Sequence, residues 1–242
     1  MDTVKDDPKL HELLAMLHQD NEKELIARAH SLFGGSDEDF AQLVRQYDTL
    51  SPKSKGQFLR EHGLAVDGMA HSPPTDLSLA ISPEMGDFLH NLVLGLRSAA
   101  VLELGSSRGV STLYLAAAVR RLGGGRVTAT EIDPHKCSLI RSNLANTGLA
   151  SFVELREGDV FETLTALAGP FDFIFLDVFA GIYLPVMQKV EHLLRSGSVL
   201  VADNMYTSER ELAEFKTYLE GNPAWVTTTM NFESGVEFLV VR

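Results

Sequence analysis

Val101-Leu102-Glu103-Leu104-Gly105-Ser106-Ser107-Arg108-Gly109 is the stretch that decides the fold. A short apolar run breaks at a glycine, and a helical pattern starts at Val110, so a buried strand feeds a helix N-terminus. Glycine at such a junction lets a ligand come close to the backbone and to the helix end. The spacing is G-x-x-x-G, which departs from the G-x-G-x-x-G of nicotinamide dinucleotide sites. Glu103 is the anomaly, because a carboxylate among core residues is costly unless it is paired. It points to a ligand that carries a cation or N–H groups, although an ordinary strand–helix turn would have the same outline.

On either side of this unit, β-rich runs alternate with helical ones. Strands are predicted at Ala100–Leu104, Arg126–Glu131, Ser151–Glu157, Phe171–Asp177, Ser198–Asp203, Trp225–Met230 and Val236–Val241. Helices are predicted at Glu84–Gly95, Val110–Leu122, Pro134–Thr147, Val160–Ala168, Tyr183–Leu194 and Ser208–Leu219. Strands separated by helices pair in parallel with right-handed crossovers, which makes an α/β, doubly wound sheet. Phe171–Val178 and Ser198–Asp203 are almost continuously apolar, as central strands covered on both faces are. The last two strands follow one another without a helix, so an antiparallel hairpin is expected at one edge.

Three zones follow. Residues 1–66 form a helical extension, with Leu10, Leu13, Leu14 and Leu17, then Phe40, Leu43, Val44 and Tyr47, at helical spacing. Residues 67–83, with Gly68, Pro73, Pro74 and Pro83, read as a linker, and 84–242 as the α/β domain. Tyr47 and Phe58 read as core of the helical layer, and the layer itself as a lid or a dimer interface.

Composition narrows the function. The 242 residues are 45% hydrophobic and 22% charged, so general disorder is excluded. With 21 Lys+Arg against 33 Asp+Glu the net charge is −12, which argues against a DNA-coating surface and makes RNA a poor partner. The single cysteine, Cys137, cannot build a disulfide framework or a thiolate cluster within the chain. The acidic start has no apolar signal core and no long apolar run follows, so the expected location is cytoplasmic, off the membrane.

Further acids fall at predicted strand ends. Glu131 closes the second strand, where doubly wound folds hold ribose hydroxyls, while Asp133 before Pro134 reads as a helix cap. Asp159, followed by Val160, is suited to cap a helix or to reach an adenine amino group. Asp177, Asp203 and Asn204 end two neighbouring apolar strands and offer hard oxygen ligands for Mg²⁺ or a similar ion. Asp203-Asn204 alone also reads as a turn.

Together these segments resemble the class I, cation-dependent O-methyltransferases that use S-adenosylmethionine, of the catechol and caffeoyl-CoA type. The resemblance starts at about Ile81 and rests on ISPEMGDFL, VLELGSSRGVS, VTATEID, REGDV, FDFIFLD and LVADN in order. It implies a Rossmann-like sheet of seven strands. It also implies that Ile81, Glu103, Gly105, Ser106, Ser111, Glu131, Asp159, Val160 and Asp177 bind S-adenosylmethionine. Asp177, Asp203 and Asn204 would hold a divalent metal, with Asp177 catalytic, in a homodimer acting on a small hydroxylated, catechol-like molecule. The family's lysine, three positions after the first metal Asp, is Ala180 here. Tyr183 lies nearby, Lys189 reads as a solvated helix residue, and His71 as an exposed loop residue within reach of the mouth. Phe179 is suited to stack on a planar substrate. The same outline would serve a tRNA-modifying methyltransferase, a metal-independent one, or a catalytically silent cofactor-binding protein.

Overall fold

Glycine turns, capping residues and apolar alternation divide the chain into one seven-stranded sheet flanked by helices. The computed structural model describes residues 4–64 and 79–242. The strands are β1 (Ala100–Leu104), β2 (Arg126–Glu131), β3 (Val153–Glu157), β4 (Phe171–Leu176), β5 (Leu194–Ala202), β6 (Trp225–Met230) and β7 (Val236–Val241). Their order is β3-β2-β1-β4-β5-β7-β6. The first five are parallel, and β7 runs antiparallel to both β5 and β6. The edge hairpin is therefore present, with its second strand tucked inside the first.

Period-2 alternation assigns the faces. Val101, Phe173, Phe175, Val199 and Val201 pack on one side, and Leu102, Leu104, Ile174, Leu176 and Leu200 on the other. The first side is covered by α4 (Pro83–Leu96), α5 (Val110–Arg121) and α6 (Pro134–Asn146). On the second side lie the single turn α7 (Val160–Thr163), then α8 (Tyr183–Val190) and α9 (Ala213–Gly221).

The N-terminal residues fold as three helices, α1 (Pro8–Phe33), α2 (Asp37–Asp48) and α3 (Pro52–Glu61). Asp7, Ser36 and Ser51 cap their N-termini, and Gly34 closes α1 in the left-handed conformation. Leu10 and Leu14 join the same core as Leu89, Val93 and Leu113, so α1 is built into the domain rather than appended to it. Asp7 pairs with Arg120 at 2.7 Å, and His18 Nε2 lies 3.3 Å from the Tyr114 hydroxyl.

Several predicted boundaries shift: β5 starts at Leu194 instead of Ser198, α8 ends at Val190 instead of Leu194, and three further changes have a visible cause. Pro83 opens α4, capped by Ser82 Oγ, instead of closing the linker. The helix expected over 160–168 stops at Thr163, whose carbonyl accepts from Arg156 Nη1 at 3.0 Å. The helix expected from Ser208 begins at Ala213, because Met205 and Tyr206 give their N–H groups to Gly235 and Ser234 of the β6–β7 turn. Most of the linker, His71 included, lies outside the described residues. Among those described, no helix is long and apolar enough to cross a membrane.

Candidate active site

The chain leaves β1 towards β2 and β3 on one side and returns to β4 and β5 on the other, so a crevice opens at the carboxyl ends of β1 and β4. Ligands of open α/β sheets bind at such a reversal point. Gly105 has φ +89°, and a Cβ there would sit 2.2 Å from the Asp177 carbonyl oxygen. The two strand ends can meet this closely only through glycine. Asp177 N–H donates to the Leu104 carbonyl at 2.9 Å and ties them together.

Glu103 is fully buried on the α5 side of β1. Its Oε2 accepts from Ser106 Oγ at 2.8 Å and Thr112 Oγ1 at 2.5 Å, and the Ser111 hydroxyl also favours the anion. Oε1 is buried without a partner. Burial raises this carboxyl above its ordinary value, against the pull of the three hydroxyls. A buried carboxyl group with an unused acceptor oxygen suits a ligand ammonium group, which would favour its ionised form. Above it, Gly109 begins α5 without any side-chain cap, leaving backbone N–H groups turned to the loop.

Glu131 ends β2 with both oxygens engaged by backbone: Oε2 accepts from Ser107 N at 2.8 Å and Oε1 from Asp133 N at 2.9 Å. These bonds aim the carboxylate at the loop, and each oxygen keeps a lone pair for a hydroxyl donor. Asp133 caps α6 as expected. Asp159 caps α7 through Phe161 N at 2.7 Å while staying exposed, and Val160 is half-buried beneath it. Ile81 is buried in the core beside Met85.

Across the crevice, Asp177, Asp203 and Asn204 come together as expected, because β4 and β5 pair with Leu176 opposite Ala202. Asn204 Nδ2 donates to Asp177 Oδ1 at 2.9 Å, and Asn204 N to Asp203 Oδ1 at 2.7 Å. Ser234 Oγ also donates to Asp203 Oδ1. Burial, then the charges of Asp203 and Glu103, push the Asp177 carboxyl well above its ordinary range. Burial raises Asp203 as well. Among the described residues no three His, Cys, Asp or Glu side chains form a metal cluster, so a cation here would take Asn204 as its third protein donor. Two mutually repelling carboxylates and an amide fit a hard divalent ion that keeps waters.

Ala180 opens a tight turn and packs on the α8 side. The Tyr183 hydroxyl is buried, donates to the Asp203 carbonyl at 3.3 Å and is pushed far up by burial, so it holds its proton. Lys189 is exposed, as expected. Phe179 is half-buried over Gly181 at the rim. Tyr47 and Phe58 pack on each other, with centroids 6.1 Å apart, both half-buried.

Two site residues escaped the sequence reading. Glu233, in the β6–β7 turn with φ +51°, accepts from Ser82 Oγ at 2.7 Å, and its charge bears on both Asp203 and Tyr47. A non-glycine residue at positive φ was its only local signal, and that is invisible in sequence. Ile132 is 63% exposed beside Glu131, a large apolar side chain facing solvent at the crevice. An apolar residue between two acids was the available clue.

A family model described as a methyltransferase domain matches residues 102–205. A catechol O-methyltransferase from Niastella koreensis is 34% identical over 58% of this chain and 64% of its own length. Another, from Mycobacterium tuberculosis, is 37% identical over 56% of this chain and 61% of its own. The chain thus spans less than two thirds of these curated relatives. Among solved structures, an O-methyltransferase from Bacillus cereus in complex with SAH superposes with a TM-score of 0.63 at 24% identity. That match covers 79% of this chain and 90% of the other, and it is a likeness of fold.

Proposed function

We propose that the chain is a class I S-adenosylmethionine-dependent O-methyltransferase, a reading supported by the matched methyltransferase domain and the catechol O-methyltransferase relatives, and that it methylates a hydroxyl of a small, catechol-like aromatic metabolite with help from a divalent cation. The observation that carries this reading is the buried Glu103 with its unused oxygen, on a strand whose Gly105 end meets the backbone of Asp177, which Asn204 in turn contacts. One wall suits a cationic amino-acid moiety and the other an oxygen-rich acceptor.

Glu103 Oε1 takes the ammonium of S-adenosylmethionine, and the uncapped start of α5 takes its carboxylate. Glu131 accepts both ribose hydroxyls, with Ile132 against the adenine and Asp159 at its edge. Gly105 lets the β1 end lie against the β4 end, so that a cofactor held by the loop would sit next to Asp177. Asp177, Asp203 and Asn204 would hold Mg²⁺, which when bound would supply positive charge that favours the ionised acceptor hydroxyl. Methyl transfer then depends on alignment, with the acceptor oxygen about 3 Å from the methyl carbon. Phe179 supplies a flat apolar wall for the ring. Ala180 cannot accept a proton, so the acceptor must ionise in the field of the rim, with Glu233, whose charge bears on Asp203, as a carboxylate able to receive it.

The enzyme acts in the cytoplasm on small molecules. The exposed Leu25, Ile26 and Leu32 of α1 support a second copy as partner. The test is methyl transfer from S-adenosylmethionine to a panel of catechols. Activity should be abolished by EDTA, restored by Mg²⁺, and lowered at least about a hundredfold by Asp203→Ala, as loss of a metal ligand requires. Unchanged turnover in Asp203→Ala would remove the cation from the reading.

A further inference from the structure

We propose that Arg60, contributed by the N-terminal extension, is a positioning residue for the acceptor half of the site. The inference rests on the reading of the Asp177–Asp203–Asn204 rim as the cation and acceptor site. Arg60 is only 17% exposed, and Nη1 donates to the carbonyls of Thr207 at 3.1 Å and Tyr206 at 3.3 Å. These carbonyls belong to the loop that follows Asn204. From there the contacts run inward: Thr207 Oγ1 donates to Asn204 Oδ1 at 3.2 Å, and Asn204 Nδ2 to Asp177 Oδ1 at 2.9 Å. Arg60 is thus joined to the rim through one residue of the loop it holds.

The approach of α3 to this loop is made possible by sequence. Gly56 is buried against it, and a Cβ there would lie 2.4 Å from the Tyr206 carbonyl oxygen. A guanidinium and a missing side chain, one turn apart on α3, therefore secure the same short segment. The loop needs such support, because its own N–H groups are spent on the β6–β7 turn and it forms no helix until Ala213. Asn204 also sits at φ +67°, a conformation that surrounding contacts must hold.

The other half of the site is gripped separately. On α1, Asn21 Oδ1 accepts from Ala80 N at 3.1 Å, next to Ile81, and Glu24 pairs with Arg108 of the cofactor loop at 2.8 Å. The extension thus braces both walls of the crevice from two different helices. Disturbing α3 should affect the cation and acceptor side without affecting the cofactor side.

The experiment uses the full chain as wild type, Arg60→Ala and Arg60→Lys, each first titrated with SAH. In Arg60→Ala, SAH affinity stays within about twofold, while the dissociation constant for Mg²⁺, measured by calorimetry on the SAH complex, rises about tenfold or more, as for lost outer support of a metal ligand. Amide exchange at residues 205–208 accelerates and that at 105–111 does not. Arg60→Lys, whose single ammonium can still reach a carbonyl, restores part of the Mg²⁺ affinity. If exchange at 205–208 rises while Mg²⁺ affinity and kcat stay at wild-type values, Arg60 is only an anchor and the proposal is overturned. Wild type that binds no Mg²⁺ would defeat the cation reading instead. Arg60 would then be judged by kcat and exchange at 205–208, and no change in both would overturn it.

Discussion

Glu103 concentrates the conflict between stability and binding in one side chain. Burial raises its carboxyl above the ordinary 4.5, so the folded, unliganded chain holds a proton that the unfolded chain has released. The folded state then binds more protons in that window, and unliganded stability falls as pH rises past about 4.5 towards the raised value. Glu103→Gln removes this penalty and keeps the shape. It should raise the melting temperature of the unliganded protein at pH 8 by a few degrees, about what 1 kcal/mol gives at this size, with the gain shrinking towards pH 4.5. The same variant should bind SAH at least about tenfold more weakly, because the ammonium loses a charged acceptor. A scanning calorimeter and an SAH titration check both halves. Equal SAH affinity would mean that the free oxygen serves something else.

Elements were legible where burial leaves a mark on composition. The near-unbroken apolar runs at Phe173–Leu176 and Val199–Ala202 marked central strands, and the acids just beyond them marked the rim. Less legible was anything set by a distant partner. The insertion of β7 between β5 and β6 depends on pairing that no local pattern records. The early stop of α7 depends on an arginine from the neighbouring strand. Glu233 reaches the site only because a turn places it there, while Glu103, Glu131 and Asp177 could be read because they interrupt or end strands. The stripe on α1 announced an amphipathic helix without saying what it packs on. Since Leu14 is 2% exposed in the shared core, Leu14→Ala should cost about 2–5 kcal/mol of global stability in urea unfolding, in one cooperative transition. An early separate transition at unchanged main midpoint would instead make the extension an independent unit.

For the whole molecule, the distribution of charge matters more than its sum. A chain of net charge −12 places Glu103, Asp177 and Asp203 around one crevice, where the charges of Glu103 and Asp203 both raise Asp177. Such a cluster is expensive in an empty fold and favourable once cations enter it. The helical extension contacts the crevice from both sides, α1 through Glu24 and Arg108 and α3 through Arg60 and the loop after Asn204. The most direct test of this account is calorimetric titration of the full chain with SAH, with and without Mg²⁺. The account predicts stoichiometric SAH binding and a separate Mg²⁺ binding event that Asp203→Ala abolishes while SAH affinity persists. A chain that bound neither SAH nor Mg²⁺ would contradict it.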